Sequence, residues 1–549
     1  MKKIIYTLAL GGIMLTSCTD WLDINQNPNN ATQDLVTSDM LLTYAQKEKA
    51  DERINSSSIH YLAQHLTKSG EVSGTYTFLT GQIMPQNVDA FWDNRYTRMA
   101  NLVTIKNKAI EAEDLGGDPG YNAVATTLMV VEFRELVDMF NNVPYTDALQ
   151  GDQNMTPKYD KGADVYASLL NDIQGAIDNF GTAIADGTYS APGLKSSDIM
   201  FHGDLKAWQR YAYSIKLSLL MRISNVKDVA SEVAAIADKC LSMDELVTAN
   251  PGYYKASGKM NPTYETWGLS YLDKETSNHK QNVPTATFVD ALRDNNDPRQ
   301  RVYLRPRTDM GDDPGITNYA AFGLENERYI GVPFGQMAPA GNEFVSTMGY
   351  PALCRTSSTV DGPLADVVVM SGSLVGFYLA EAALRGMIPG GDAKAQEYYE
   401  NAVISAMTMF EASLQDASIN DYGACPAITG SAAEAAQIFL SQDNKAVNWN
   451  LMTTNEEKLE AIQLQKWISL FMVDPLEAWS EQRRTDYPTL KFSNSQTTGK
   501  KLVARLPYPN GEKTLNPENH DAEGEVNFYS SLVFWDQKNE DRESAEAYQ

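Results

Sequence analysis

SGSLVGFYLAEAALRGMIPGGDAKAQEYYENAVISAMTMFE, running from Ser371 to Glu411, is the stretch from which the architecture can be read. Val375, Tyr378, Leu379, Ala382 and Ala383 fall on one face at helical spacing, and Gly386 marks a stop. Pro389, Gly390 and Gly391 continue a helix only at a cost, so they form a turn, and Asp392 can cap the helix that follows. In that second helix Ala395, Tyr398 or Tyr399, Ala402, Ala406 and Phe410 point inward. Two helices joined by a short Gly/Pro turn make an antiparallel hairpin. Alanines at the seam let the backbones approach while tyrosines fill the groove, the packing used by tetratricopeptide (TPR) hairpins. One hairpin leaves its outer faces uncovered, so the pattern predicts others.

They are found upstream. Trp92, Tyr96, Met99, Val103 and Ile110 recur at helical spacing, and Tyr121 to Phe140 (YNAVATTLMVVEFRELVDMF) is apolar on nearly every side, as a helix covered by several neighbours must be. Asn141, Asn142 and Pro144 end it. Val165, Leu169, Ile173, Ile177 and Phe180 predict another helix, and Trp208, Tyr211, Ile215 and Leu219 a third, with Gly181 to Lys195 as loop between them. Downstream, Thr454 with Glu457 gives a capping-box signature for a helix reaching Val473.

Past Asn250 the texture changes. Residues 250–366 are rich in Gly, Pro, Asn and aromatics, with strand-like runs at Arg301 to Arg305 and Tyr329 to Pro333. An insertion of this size in a globular protein is usually functional. The tail, 476–549, reads as loop-rich with one strand, Val526 to Trp535. The expected fold is therefore mostly α, one domain over 18–549: a scaffold of TPR-like helical hairpins at about 90–245 and 370–475, and an irregular loop and short-strand insertion carrying the ligand site.

With 71 acidic against 45 basic side chains the formal net charge is −26, which excludes long-range attraction to nucleic acid and disfavours polyanionic ligands. Lys2 and Lys3 precede an apolar run from Ile4 to Leu15, too short for a permanent membrane span. Residues 1–17 read as an export signal. Its end, Leu15-Thr16-Ser17-Cys18, resembles a bacterial lipobox, making Cys18 the lipidated first residue of the mature protein. Two or three acyl chains on one cysteine hold a protein to a membrane without spanning it. Cys240, Cys354 and Cys425 contain no Cys-x-x-Cys, and at most one bridge can form among them.

Six blocks, taken together, resemble the SusD/RagB family of nutrient-binding outer-membrane lipoproteins of Bacteroidetes. They are LTSC with DWLDINQNPN (Leu15 to Asn29), FRELVDMFNNVPYTDAL (Phe133 to Leu149), DIMFHGDLKAWQRYAYSIKLSLLMRIS (Asp198 to Ser224), YLAEAALRG (Tyr378 to Gly386), EAIQLQKWISLF with EAWSEQRRTDYP (Glu460 to Pro488), and ARLPYPNGEKTLNPEN (Ala504 to Asn519). The resemblance implies a mostly helical body with an irregular ligand-binding half. It also implies a place on the cell surface as the lid of a SusC-like TonB-dependent transporter, delivering captured glycan or peptide, with no cofactor.

The residues offer no strong catalytic signature. His60 and His65, five apart, do not share a helix face, so a metal pair there is not expected. Glu381 and Glu397 read as helix-surface or hairpin hydrogen-bonding groups rather than a glycosidase pair, and Arg483 and Arg484 as structural ion-pair partners. A binding surface instead calls for aromatic platforms rimmed by amides, since the C–H face of a sugar or a peptide side chain stacks on a ring. Loop aromatics are the candidates: Tyr76 and Phe78, then Tyr253, Tyr254, Tyr264 and Trp267, with Asn261, Asn278 and His279 as polar partners. Trp267 has a second reading, as a plug holding the insertion to the helices. Two rival functions stand beside nutrient capture: a surface hydrolase, and an assembly or adhesion lipoprotein with no small ligand.

Overall fold

The computed structural model describes residues 37–52, 57–70, 77–80, 82–111, 118–187, 192–308, 327–336, 342–356, 361–419, 423–492 and 502–537. Its body is a succession of helices: α1 (Ser38–Glu52), α2 (Asp89–Glu111), α3 (Pro119–Phe140), α4 (Gly162–Asp186), α5 (Leu205–Ile223), α6 (Gly372–Leu384), α7 (Gly391–Thr408), α8 (Ala432–Ser441), α9 (Asn455–Ser469) and α10 (Pro475–Thr485). From α1 to α8 each packs on the next, while α9 lies against α6 and carries α10. The mostly helical fold is the one the periodicity predicts. Among the described residues no helix is long and apolar enough to cross a membrane.

The α6–α7 hairpin shows why small residues line its seam. A Cβ on Gly376 would stand 2.8 Å from the Cβ of Ala402, so only glycine permits this approach. Tyr399 is the inward tyrosine, its hydroxyl donating to the Val447 carbonyl at 3.0 Å, whereas Tyr398 is half-buried beneath the Lys394 ammonium. Asp392 does not cap α7. Gly390, at φ 111°, takes the cap position, and Asp392 sits in the first turn, where it accepts from Lys458 of α9. The capping box at Thr454 and Glu457 forms as expected.

Several boundaries differ from the sequence reading. Helix α4 runs on to Asp186, into the stretch expected as loop, because Ala183 extends the buried stripe of Ile173, Ile177 and Phe180; left-handed Gly187 stops it. Helix α9 ends at Ser469 rather than Val473, and Asp474 caps a further helix, α10, at the head of the stretch expected as loop-rich tail. Arg301 to Arg305 is a helical turn followed by two strand residues, and Tyr329 to Pro333 holds only a single bridge, Val332 to Thr285. Val526 to Trp535 is not a strand. Its backbone groups find loop partners instead, Phe534 N–H on Asn141 Oδ1 at 2.7 Å and Phe528 C=O on Ala504 N–H at 2.7 Å.

Among the described residues there are three two-stranded antiparallel ribbons: β1 (Leu66–Lys68) with β3 (Asn282–Pro284), β2 (Leu246–Ala249) with β6 (Val367–Ser371), and β4 (Leu304–Arg305) with β5 (Thr347–Met348). The β2–β6 ribbon pairs Ala249 with Val367. It thereby clamps both ends of the insertion, residues 250–366, to one point on the scaffold. Within the insertion, short helices such as Pro262–Trp267, Ser277–Gln281 and Ala286–Arg293 appear where irregular loop with short strands was expected.

The interior also carries charge. Lys49 of α1 and Arg95 and Arg98 of α2 surround Glu132 and Glu135 of α3, with Lys49 2.6 Å from Glu135 and Arg98 2.8 Å from Glu132. Deeper in, Arg222 of α5 meets Asp138 of α3 and Glu477 and Glu481 of α10, while Arg484 of α10 grips Glu381 of α6. These residues come largely from the FRELVDMF, YLAEAALRG and EAWSEQRR blocks, so those blocks form an internal brace. The expectation that Arg484 serves a structural ion pair agrees with this. Arg483 stacks 3.5 Å from the Trp479 ring and donates to the Ala504 carbonyl.

Candidate functional site

The insertion opens with a loop fixed by Asn250. Its Oδ1 accepts from the N–H groups of Gly252 and Tyr253 at 2.8 and 2.9 Å, and its Nδ2 donates to Asp366 across the β2–β6 clamp. Gly252 and Gly258, both at positive φ, let the loop double back, and Tyr254 N–H closes it on the Lys259 carbonyl at 2.9 Å. The Gly258 N–H binds Glu265 at 2.7 Å, tying the loop to the Pro262–Trp267 helix. Lys255 pairs with Asp273 at 2.6 Å and links it to the neighbouring turn, residues 270–274.

These ties hold open a cleft of about 370 Å³ between the loop and α1. Lys47 and Asp51 of α1 form one wall and Tyr253, Tyr254, Lys259 and Glu265 the other. Tyr254 is 54% exposed and presents its ring to solvent. Tyr253 is the reverse case: the residue is buried, its hydroxyl has no hydrogen-bond partner among the described residues, and burial pushes the phenol above its ordinary pKa. One oxygen of Asp51 is likewise buried and unpartnered among the described residues, the other being held by Lys47 at 2.5 Å. An exposed ring beside charged and hydroxyl-bearing side chains around one hollow suits a hydroxyl-rich ligand. On the turn linked through Lys255, Tyr271 is also exposed, and beyond it Arg305 stacks over Tyr350 while holding Glu275 at 2.8 Å.

The other expected contact residues are placed differently. Trp267 is fully buried, with the His60 ring edge-on at 5.2 Å, which matches its reading as a plug. Tyr264 is buried beside Tyr350. Asn261 is spent on the helix it caps, accepting from Tyr264 N–H at 3.0 Å and donating to the Ala365 carbonyl at 2.8 Å. His279 is buried, its Nδ1 2.8 Å from the Trp267 carbonyl, and burial holds its imidazole below the usual range. Asn278 is half-buried and lends its carbonyl to Asn282. Phe78 is buried on the short Thr77–Thr80 helix, packed on the Ser57–Leu62 helix. Tyr76 and Cys18 lie outside the described residues. The structure thus gathers Tyr253 and Tyr254 at one cleft and gives the amides and buried rings to packing. Sequence reasoning missed Lys47 and Asp51, which reach the cleft only through tertiary folding. Tyr271 it could have found, as an aromatic in a Ser-Tyr-Leu-Asp-Lys turn.

The remaining positions considered for chemistry sit in the core or on helix surfaces. The His60 and His65 rings stand 6.4 Å apart inside the core, and among the described residues no group of three His, Cys, Asp or Glu could hold a metal ion. Glu381 is buried in the brace, whereas Glu397 is exposed and pairs with Lys394 on its own helix. Cys240 and Cys354 are free thiols, and burial pushes both up to about 12.

Solved structures share this fold. A SusD homologue from Bacteroides fragilis superposes with a TM-score of 0.69 at 20% identity, covering 92% of this chain and 100% of its own. A SusD/RagB family protein from Bacteroides thetaiotaomicron gives 0.70 at 18%, covering 92% and 100%. A chitin-binding SusD homologue from Flavobacterium johnsoniae gives 0.66 at 21%, covering 91% and 99%. No curated protein matches the sequence. The SusD-like family described as "Starch-binding associating with outer membrane" matches residues 28–509. With the helical body, the clamped insertion and nearly the whole chain accounted for by that match, the protein belongs to the SusD-like family.

Proposed function

We propose that this protein is a cell-surface binding lipoprotein of the outer membrane, anchored through Cys18, that captures an oligosaccharide without altering it. It then passes the ligand to a SusC-like TonB-dependent transporter on which it sits as a lid. The observation that carries the binding site is the cleft beside Tyr254, an exposed ring on a hollow that Tyr253, Asp51 and Lys47 also line. The family's description as starch-binding and the chitin-binding name of one structural relative favour a glycan over a peptide. Capture rather than hydrolysis fits a cleft whose acids, Asp51 and Glu265, are tied to Lys47 and to the Gly258 amide.

The test is calorimetry with maltoheptaose, chitotetraose and a set of tri- to pentapeptides, followed by chromatography of each mixture. Binding of a glycan that is recovered intact and that weakens in Tyr254→Ala supports the reading. Cleaved products would point to the hydrolase. Heat from peptides alone would replace glycan by peptide. The anchor is tested apart: Cys18→Ala is expected to leave the outer-membrane fraction, and co-purification of a transporter barrel with the wild type checks the partner.

A further inference from the structure

A second cleft, of about 520 Å³, opens between the β2–β6 ribbon and the last turns of α7. It shares no lining residue with the Tyr254 cleft, and its volume falls in the ~300–1,000 Å³ range of small-molecule sites. Met243, Leu246, Ile404 and Met409 give it an apolar floor, and Asp244 and Asn401 stand exposed at its rim.

Arg355 sets it apart. The residue ends the Tyr350–Cys354 helix in the left-handed region, φ 59° and ψ 18°, a position glycine or asparagine usually takes because a Cβ there is crowded. Its Nε is buried with no acceptor among the described residues. The nearest carboxylate, Asp366, is 4.0 Å from Nη2 and is already engaged by Thr248 at 3.1 Å and Asn250 at 2.8 Å. Arg222, Arg299 and Arg484, buried in the same fold, each have a carboxylate within 2.7 Å, and Arg483 has the Trp479 ring and the Ala504 carbonyl. A planar guanidinium left short of acceptors, in a strained backbone and lining a hollow, is suited to a carboxylate brought from outside.

The rest of the cleft narrows the ligand. Glu245 is saturated by Arg210 and by the Ser242 N–H at 2.7 Å, so it offers little to a ligand, but its charge and that of Asp244 repel a polyanion. One carboxylate on an otherwise neutral, hydroxyl-bearing body remains: Asn401 and Asp244 can bond hydroxyls while the apolar floor takes a ring's C–H face. We propose that this cleft is a second binding site, for an oligosaccharide carrying a single uronic acid, with Arg355 gripping its carboxylate.

The experiment is calorimetry on the full chain with aldotriouronic acid (glucuronic acid linked to xylobiose), against neutral xylotriose and against triglycine. The acidic trisaccharide is expected to bind at least tenfold tighter than xylotriose. Arg355→Gly and Arg355→Asn, both suited to the left-handed backbone and therefore expected to keep the melting temperature, should abolish that difference, while Tyr254→Ala should leave it intact. Equal binding of the acidic and neutral sugars, or an Arg355→Gly protein that binds as wild type, overturns the proposal. A difference lost only in Tyr254→Ala also overturns it, by moving the uronate to the other cleft. Triglycine binding tighter than the uronate, and dependent on Arg355, would assign the carboxylate to a peptide end instead. Failure here leaves the Tyr254 cleft untouched, since its test uses neutral glycans.

Discussion

Arg222 and Glu477 lie 255 positions apart in the sequence and meet at 2.7 Å in the interior, with 0% and 2% of their side chains exposed. Tyr378 donates to the same Glu477 carboxylate, and Arg134 approaches it at 3.6 Å. Helices α3, α5, α6 and α10 are thus joined at one carboxylate. Removing one partner of such a cluster strands the others away from water. Glu477→Ala is expected to cost about 3–5 kcal/mol in urea unfolding. A loss below about 1 kcal/mol would mean the brace contributes little.

Glu381 gives the acid limb of stability. Burial alone would raise its carboxyl, but Arg484 and Lys466 outweigh burial and hold it down to about 2. An unfolded glutamate titrates near ~4.3, so the unfolded chain binds the proton first as pH falls. The stabilisation from Glu381 is therefore complete above about pH 4.3 and lost as pH drops toward 2. Melting temperatures should fall through that window. In Glu381→Gln, less stable at neutral pH, the fall should be shallower; an unchanged slope would assign acid lability to other carboxylates.

His65 acts at milder pH. Burial, reinforced by repulsion from His60, holds its imidazole well below the usual range, with Nε2 3.0 Å from the Trp467 carbonyl. The unfolded residue takes a proton below ~6.5, so stability falls as pH drops beneath that value. His279, whose imidazole burial also lowers, works in the same direction. Scanning calorimetry from pH 7.5 to 5 should show a declining midpoint, flatter in His65→Leu. Parallel curves for the two proteins would count against the buried imidazole as the cause.

Tyr254 and Trp267 separate binding from packing. Tyr254→Ala removes a ring that is 54% exposed and should cost up to about 1.5 kcal/mol of ligand affinity, roughly tenfold, with the melting temperature unchanged. Trp267→Ala empties a fully buried site and should cost about 3–5 kcal/mol of stability. If Trp267→Ala instead keeps its stability and loses only ligand, the plug is a contact residue after all.

Gly372 tests the junction between β6 and α6. A Cβ there would stand 2.0 Å from the Ser242 carbonyl oxygen, and backbone cannot swing aside as a flexible side chain can. Gly372→Ala should lower stability by more than about 1 kcal/mol and weaken binding at the neighbouring cleft of Met243 and Arg355. An alanine protein that melts like wild type would mean the ribbon shifts freely.

Much of the scaffold was legible because helical burial is periodic. Tyr378, Ala382, Ala395, Ala402 and the all-round apolar run of α3 report their neighbours without naming them. Helix α1 was missed because an apolar half, Met40 to Ala45, gives way to a charged half, Lys47 to Glu52, so no stripe runs its length; its inward Lys49 looks like a surface residue until Glu132 and Glu135 meet it. Texture marked a change past Asn250, but the Ala249–Val367 pairing that brings the two flanks together was not legible. Among the candidate contacts, composition marked aromatics in loops but could not say which rings turn outward, and only Tyr254 of the described ones does so substantially.

The sequence by itself determined most of the helical scaffold from α2 to α9, the change of texture past Asn250 and the family resemblance, since each follows from local spacing and from short motifs. Tertiary structure alone decided that Tyr254 faces solvent while Trp267 fills the core, that Asp51 joins Tyr253 at a cleft, and that Arg355 faces a hollow short of acceptors. Exposure and ion pairing depend on which distant segments arrive at a residue. No periodicity within a single segment encodes that arrival.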